Sequence, residues 1–348
     1  MRIYKLLRKM TKIKTISAII CCQLLITGCK KEEKKVTPQE TNIIKDSVKM
    51  TKAEDRIDYT NFNIFSLSTI SSAEKDSDAD IFISVSDIYK GVQPIPAEIV
   101  NNQKQMSFEE LQHFELDAPS RKKLLEGIHL TENDSLYIYR YDRNKLEKMP
   151  VSQLKAVAYL SPYSDSEEVD PESYMMGFQV ATHQKMADDG LYNNAIAYFG
   201  NKNPFVENKM KAVKWQKAGA DISERYFITR SKLNMGKTYQ SKYENMTYYL
   251  QDYLEEQNVV ERRLVVINNH QEKIAEKTFS LAASDGGEFL PLYGIETDEA
   301  NIFQWTGHLF KGKPPVIFGF IAYSFGCPSI TFLDKNEKNF PINCDNRH

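Results

Sequence analysis

The stretch with the strongest suggestion of chemistry is Asp285-Gly286-Gly287-Glu288, followed downstream by Trp305-Thr306-Gly307-His308. Paired glycines let a backbone approach a ligand closely, and an exposed carboxylate near an imidazole could exchange protons with it. The same residues also spell a tight turn between two strands, which is the preferred reading. Asp76-Ser77-Asp78-Ala79-Asp80 alternates carboxylates in the manner of a calcium loop. Ile81, however, stands where such a loop needs glycine, and Asp87 where it needs a bidentate glutamate, so a solvated turn is expected. His113, His129, His183, His270, His308 and His348 show neither His-x-x-x-His nor Glu-x-x-His spacing. The chain has no Gly-x-Ser-x-Gly elbow and no phosphate loop. No residue is therefore assigned a catalytic or metal-ligating role, and no cofactor is expected.

The elements that would position any site read mostly as strands. Ile64–Leu67, Ile81–Val85, Leu136–Tyr141, Tyr174–Ala181, Ala195–Phe199 and Tyr226–Thr229 are rich in β-branched and aromatic residues between polar turns. Leu154–Leu160 is expected to pair with Leu136–Tyr141. Later candidates are Arg263–Ile267, Lys273–Leu281, Ile302–Phe310, the unbroken apolar run Val316–Tyr323, and Ile330–Leu333. Ser107-Phe108-Glu109-Glu110 has the form of a capping box opening a short helix through Phe114, and Asp117-Ala118-Pro119-Ser120 opens a second one ending at Gly127. Tyr243, Met246, Leu250, Tyr253 and Leu254 fall at helical spacing, predicting an amphipathic helix near 243–256. The expected fold is α+β or mainly β, with mixed, largely antiparallel sheets and a few short helices. The acidic run 164–171 is a candidate boundary between β-rich segments at 58–163 and 172–348, each a domain or half of one.

The N-terminus is more specific. Arg2, Lys5, Arg8, Lys9, Lys12 and Lys14 precede an apolar run from Thr15 to Ile26. That run has the length of a signal-peptide core and falls short of the ~20 residues a spanning helix needs. It ends in Ile26-Thr27-Gly28-Cys29, which resembles the lipobox of bacterial lipoproteins, with Ile26 where leucine is commoner. The resemblance implies cleavage after residue 28, lipid on the Cys29 thiol, and anchorage in the outer membrane. Lys30-Lys31-Glu32-Glu33 behind it resembles the surface-export signal of Bacteroidota lipoproteins, implying display on the cell surface rather than the periplasmic face. Residues 29–57 read as a charged, disordered tether. Asp46-Ser47-Val48 and Asp134-Ser135-Leu136 resemble the O-glycosylation triplet of the same bacteria.

Removing residues 1–28 takes six positive and no negative charges from totals of 45 and 47, leaving a net charge near −8. Without a basic stripe, such a chain is a poor nucleic-acid binder, and no nucleic-acid partner is expected. Cys21 and Cys22 would leave with the signal and Cys29 would carry lipid, so Cys327 and Cys344 remain. Outside the cytoplasm they are expected to form a disulfide, the alternative being two separate buried thiols. The functional expectation is a membrane-anchored, extracytoplasmic binding or interaction module for a glycan or protein ligand. The alternatives are a surface-anchored hydrolase whose active site assembles only in three dimensions, or an envelope structural component.

Overall fold

The structure, a computed structural model, describes residues 56–71, 79–161, 163–164, 169–180, 194–227, 232–281 and 286–345. Its first strands are β1 (Ile64–Phe65), β2 (Ser68–Ser71), β3 (Ala79–Ser84) and β4 (His113–Glu115), followed by β5 (Ser135–Arg140), β6 (Lys145–Pro150) and β7 (Lys155–Leu160). The middle of the chain supplies β8 (Tyr174–Val180), β9 (Ala195–Gly200), β10 (Met210–Ala212), β11 (Gln216–Lys217), β12 (Asn234–Tyr243), β13 (Met246–Glu255) and β14 (Asn258–Asn268). Then come β15 (Lys273–Ser280), β16 (Glu288–Phe289), β17 (Trp305–Gly307), β18 (Val316–Phe318), β19 (Ile321–Ala322), β20 (Ser329–Phe332) and β21 (Phe340–Asn343). The α-helices are short: α1 (Ala97–Asn102), α2 (Phe108–Gln112), α3 (Ala118–Gly127) and α4 (Ala220–Tyr226). The protein is mainly β.

A nine-stranded sheet, in order β10-β17-β18-β20-β21-β1-β9-β5-β6, forms the spine. Its pairings are antiparallel except where β1 runs parallel to β21. Strand registers put Phe65, Leu136, Ile138, Ala197, Thr331 and Ile317 on one face. Two five-stranded sheets cover that face. The sheet β2-β3-β8-β7-β4 packs with α2 and α3 over its β5–β9 end, burying Ile83, Phe178, Leu124 and Phe199. The sheet β11-β12-β13-β14-β15 packs over its β18–β20 end, burying Tyr248, Leu250, Leu264, Ile317 and Phe320. The opposite face holds a third core of Tyr137, Tyr139, Phe205, Trp305, Phe310 and Phe332. Strands from both sides of 164–171 share sheets: β7 pairs directly with β8, and β1 lies between β9 and β21.

The capping box forms as its spacing implies, with Ser107 and Glu110 each receiving the other's backbone amide, although the helix stops at Gln112 and His113 begins β4. Asp117 caps α3 through the Ser120 amide. The helix expected near 243–256 is instead the β12–β13 hairpin, turning at Glu244-Asn245 with Glu244 at φ +49°. Strand β13 is buried on both faces, Tyr248 and Leu250 against the spine and Tyr249 under α4, so its apolar residues need not alternate. Helical spacing can be picked out of such a run by chance. Tyr226 closes α4 rather than opening a strand, and residues 228–231 lie outside the described residues. Strand β7 pairs with β4 and β8, not with β5, whose neighbours are β6 and β9. The segment 302–310 contributes only three strand residues at β17. The run 316–323 breaks at Gly319, whose φ of +87° ends β18. Most of the calcium-like stretch, residues 76–78, lies outside the described residues.

Candidate functional site

Beside β15, between the spine and the sheet β11-β12-β13-β14-β15, lies a groove of about 760 Å³. One wall is the edge strand β15, from Lys277 to Ser280; the other carries Asn194 just before β9, Ala195 and Ile196 of β9, and Ser329 and Thr331 of β20. The floor is aromatic: Phe279 stacks on Phe320 at 4.2 Å, with Phe318 and Tyr141 beside them. Phe303 and Tyr323 complete the aromatic lining, and Tyr323 is exposed at the rim. Burial pushes the Tyr141 phenol well above its ordinary value, an effect the Asp142 carboxylate reinforces, and burial also raises Tyr323. Both phenols therefore remain neutral at physiological pH.

The loop 300–303 is held rigidly at its far end. Gln304 is fully buried; its amide donates to the carbonyls of Pro291 and Gly319 and its oxygen accepts from the Tyr293 amide. A Cβ on Gly319 would lie 1.9 Å from the Phe303 carbonyl oxygen, so only glycine lets β18 pass this loop. Behind β15, Arg262 donates to the Leu290 carbonyl and Asp252, and lies 4.9 Å over the Phe289 ring. That network fixes Phe279, which pairs across the ladder with Arg262.

The groove's polar lining is largely uncommitted. Lys277 is the only charged residue among the described residues that line it. It sits on the spine-facing side of β15, in line with Ala275 and Phe279, and is half-buried with no ion-pair or hydrogen-bond partner among the described residues. The side chains of Asn194, Asn301 and Asn339 likewise make no hydrogen bond. An inward-facing cation on an edge strand also discourages edge-to-edge pairing with another sheet.

The sequence-predicted residues fall elsewhere. Cys327 and Cys344 form a disulfide with α-carbons 5.6 Å apart. Glu288 is exposed in β16, where it pairs with Ala322, and His308 is half-buried just after β17; neither lines the groove. Gly286 accepts a 2.6 Å hydrogen bond from the Ser324 hydroxyl, next to the rim residue Tyr323, so the glycine pair supports the rim. Ser135 of the second glycosylation triplet is buried in β5 and is not presented for modification. Cys29 and Ser47 lie outside the described residues. Sequence reasoning missed the groove because its lining is drawn from residues 66 to 342, with no short spacing to reveal it. Comparison with protein-family models, curated proteins and solved structures returns no match.

Proposed function

We propose that this chain is a lipid-anchored extracytoplasmic binding protein, held at the outer membrane through Cys29, whose groove takes a glycan. The observation that carries the reading is the groove's chemistry. Partly exposed aromatic rings offer flat apolar faces to the C–H side of a sugar ring, while three uncommitted carboxamides each offer both a donor and acceptors to its hydroxyls. The anchor is supported by the basic head, short apolar core and Ile26-Thr27-Gly28-Cys29, and surface display by Lys30-Lys31-Glu32-Glu33. Among the described residues, no helix is long and apolar enough to cross a membrane.

The test is retention on a glycan array by the purified full chain in detergent, beside a variant carrying Asn301→Ala and Tyr323→Ala. Both side chains are exposed, so the variant is expected to melt with the wild type. Loss of the bound glycan by that variant, with unchanged melting, is the expected result. Retention of no glycan, or retention indifferent to the two substitutions, would overturn the groove reading.

A further inference from the structure

We infer that the glycan taken by this groove is acidic, carrying a carboxylate that pairs with Lys277; the inference rests on the binding reading above and specifies its ligand. An ammonium needs either water or a counter-charge, and desolvating it without one is costly. Lys277 is half-buried, on the spine-facing side of its strand between Ala275 and Phe279, yet no acid among the described residues pairs with it. Nearby cations are handled differently. Arg262 meets Asp252 and Glu296, Arg263 meets Glu261, and Lys273 meets Glu276 on the same strand. The groove therefore presents one unneutralised positive charge in a lining otherwise made of neutral polar and apolar groups.

That charge selects within the carbohydrate class. A neutral sugar entering beside Lys277 would strip part of its hydration and return only hydroxyl acceptors. A carboxylate would supply a charge-assisted bond, about twice the strength of a neutral one. Asn194, Asn301 and Asn339 would remain to bond ring hydroxyls, and Phe279, Phe303 and Tyr323 to receive the ring faces. The acidity of the rest of the mature chain opposes this little at physiological salt, where charges beyond ~8 Å are largely screened. The sugar class that fits is one with an exocyclic or ring-borne carboxylate, such as a uronic or sialic acid.

The experiment uses the full chain in detergent on an array of uronic- and sialic-acid oligosaccharides, printed beside the same oligosaccharides with their carboxylates methyl-esterified. The expected result is retention of the free acids, weakened about tenfold or more by esterification and by Lys277→Met, and restored by Lys277→Arg. Raising the salt should weaken the free acid more than the ester. Equal retention of acids and esters, or acid binding untouched by Lys277→Met, would overturn the acidic assignment while leaving the groove reading standing if Asn301→Ala with Tyr323→Ala still abolishes retention. Retention of no oligosaccharide, or of acidic peptides alone, would overturn both.

Discussion

At the scale of single residues, the most consequential pair outside the groove is Asp252 and Arg262, whose side chains are 5% and 3% exposed. Arg262 Nε lies 3.1 Å from Asp252 Oδ1, the Tyr239 hydroxyl donates to Oδ2 at 3.1 Å, and Glu296 stands 3.4 Å from the far side of the guanidinium. Burial raises the Asp252 carboxyl above its ordinary value, with Arg262 and the Tyr239 hydrogen bond pulling it back. Two buried charges that satisfy each other add little net stability, but removing one strands the other. Arg262→Met should therefore cost about 3 kcal/mol in urea denaturation, because it leaves the Asp252 carboxylate buried beside the Tyr239 hydroxyl without its counter-charge. The double change Asp252→Leu with Arg262→Met should cost less than the single one; a larger cost for the double would refute this account.

The same carboxyl gives a pH signature. A folded-state value above the unfolded one means that protonation favours the fold, so Asp252 contributes more stability as pH falls through its folded value toward 3.8. Glu132 behaves oppositely. Its hydrogen bonds from Arg121 hold it below its ordinary value, so its contribution is present at neutral pH and lost on acidification. Wild-type stability at mildly acidic pH is thus partly protected by Asp252. An Asp252→Asn variant, having lost that opposing term, should lose stability more steeply with acid, as read from denaturation midpoints across the acid range.

At the scale of elements, the C-terminal strand is stitched in from several sides. β21 pairs with both β20 and β1. Beyond it Cys344 is bonded to Cys327, the amides of Cys344 and Asp345 donate to Asp87, and the Asp345 carboxylate accepts from Ser84. The bridged residues are 17 apart, and closing so short a loop stabilises by about 3 kcal/mol in the chain-entropy picture. Replacing both cysteines by serine should lower the melting temperature by about 5 °C for a chain of this size. An unchanged melting temperature would mean that the hydrogen bonds to Asp87 and Ser84 hold the tail unaided.

This element also shows how far sequence reasoning reaches. The cysteine pair was legible because elimination left only two thiols, and the capping box at Ser107 was legible because its signal is confined to four residues. The β12–β13 hairpin was not. Its strand is covered on both faces, which erases the period-two pattern, and its turn carries Glu244 and Asn245 rather than glycine. The pairing of β5 was misjudged for a related reason: β9, its partner, lies more than fifty residues downstream of it, and nothing local encodes that choice. Strands that wall the groove, Lys273–Leu281 and Ala195–Phe199 among them, were legible singly, but their meeting at one groove rests on packing between distant segments that no local spacing encodes.

At the scale of the whole molecule, the proposed anchor decides where this groove meets its ligand. The described residues belong to one compact unit, while the segment between Cys29 and the first described residues is charged and poor in apolar residues. Two acyl chains on a glyceryl thioether and a third on the new amino terminus would each bury methylenes worth about 0.8 kcal/mol apiece, making attachment effectively permanent. The N-terminal peptide of the protein purified from membranes should therefore begin at Cys29 and carry the mass of a diacylglyceryl group, with or without the third chain. Cys29→Ala should abolish the attachment, because alanine has no thiol to carry the diacylglyceryl group. Protease added to intact cells then separates the two faces of the membrane: loss of the folded part fits surface display directed by Lys30-Lys31-Glu32-Glu33, while protection places it in the periplasm. An unmodified Cys29, or a mature chain starting elsewhere, would remove the anchor and with it the argument that the groove works at a surface.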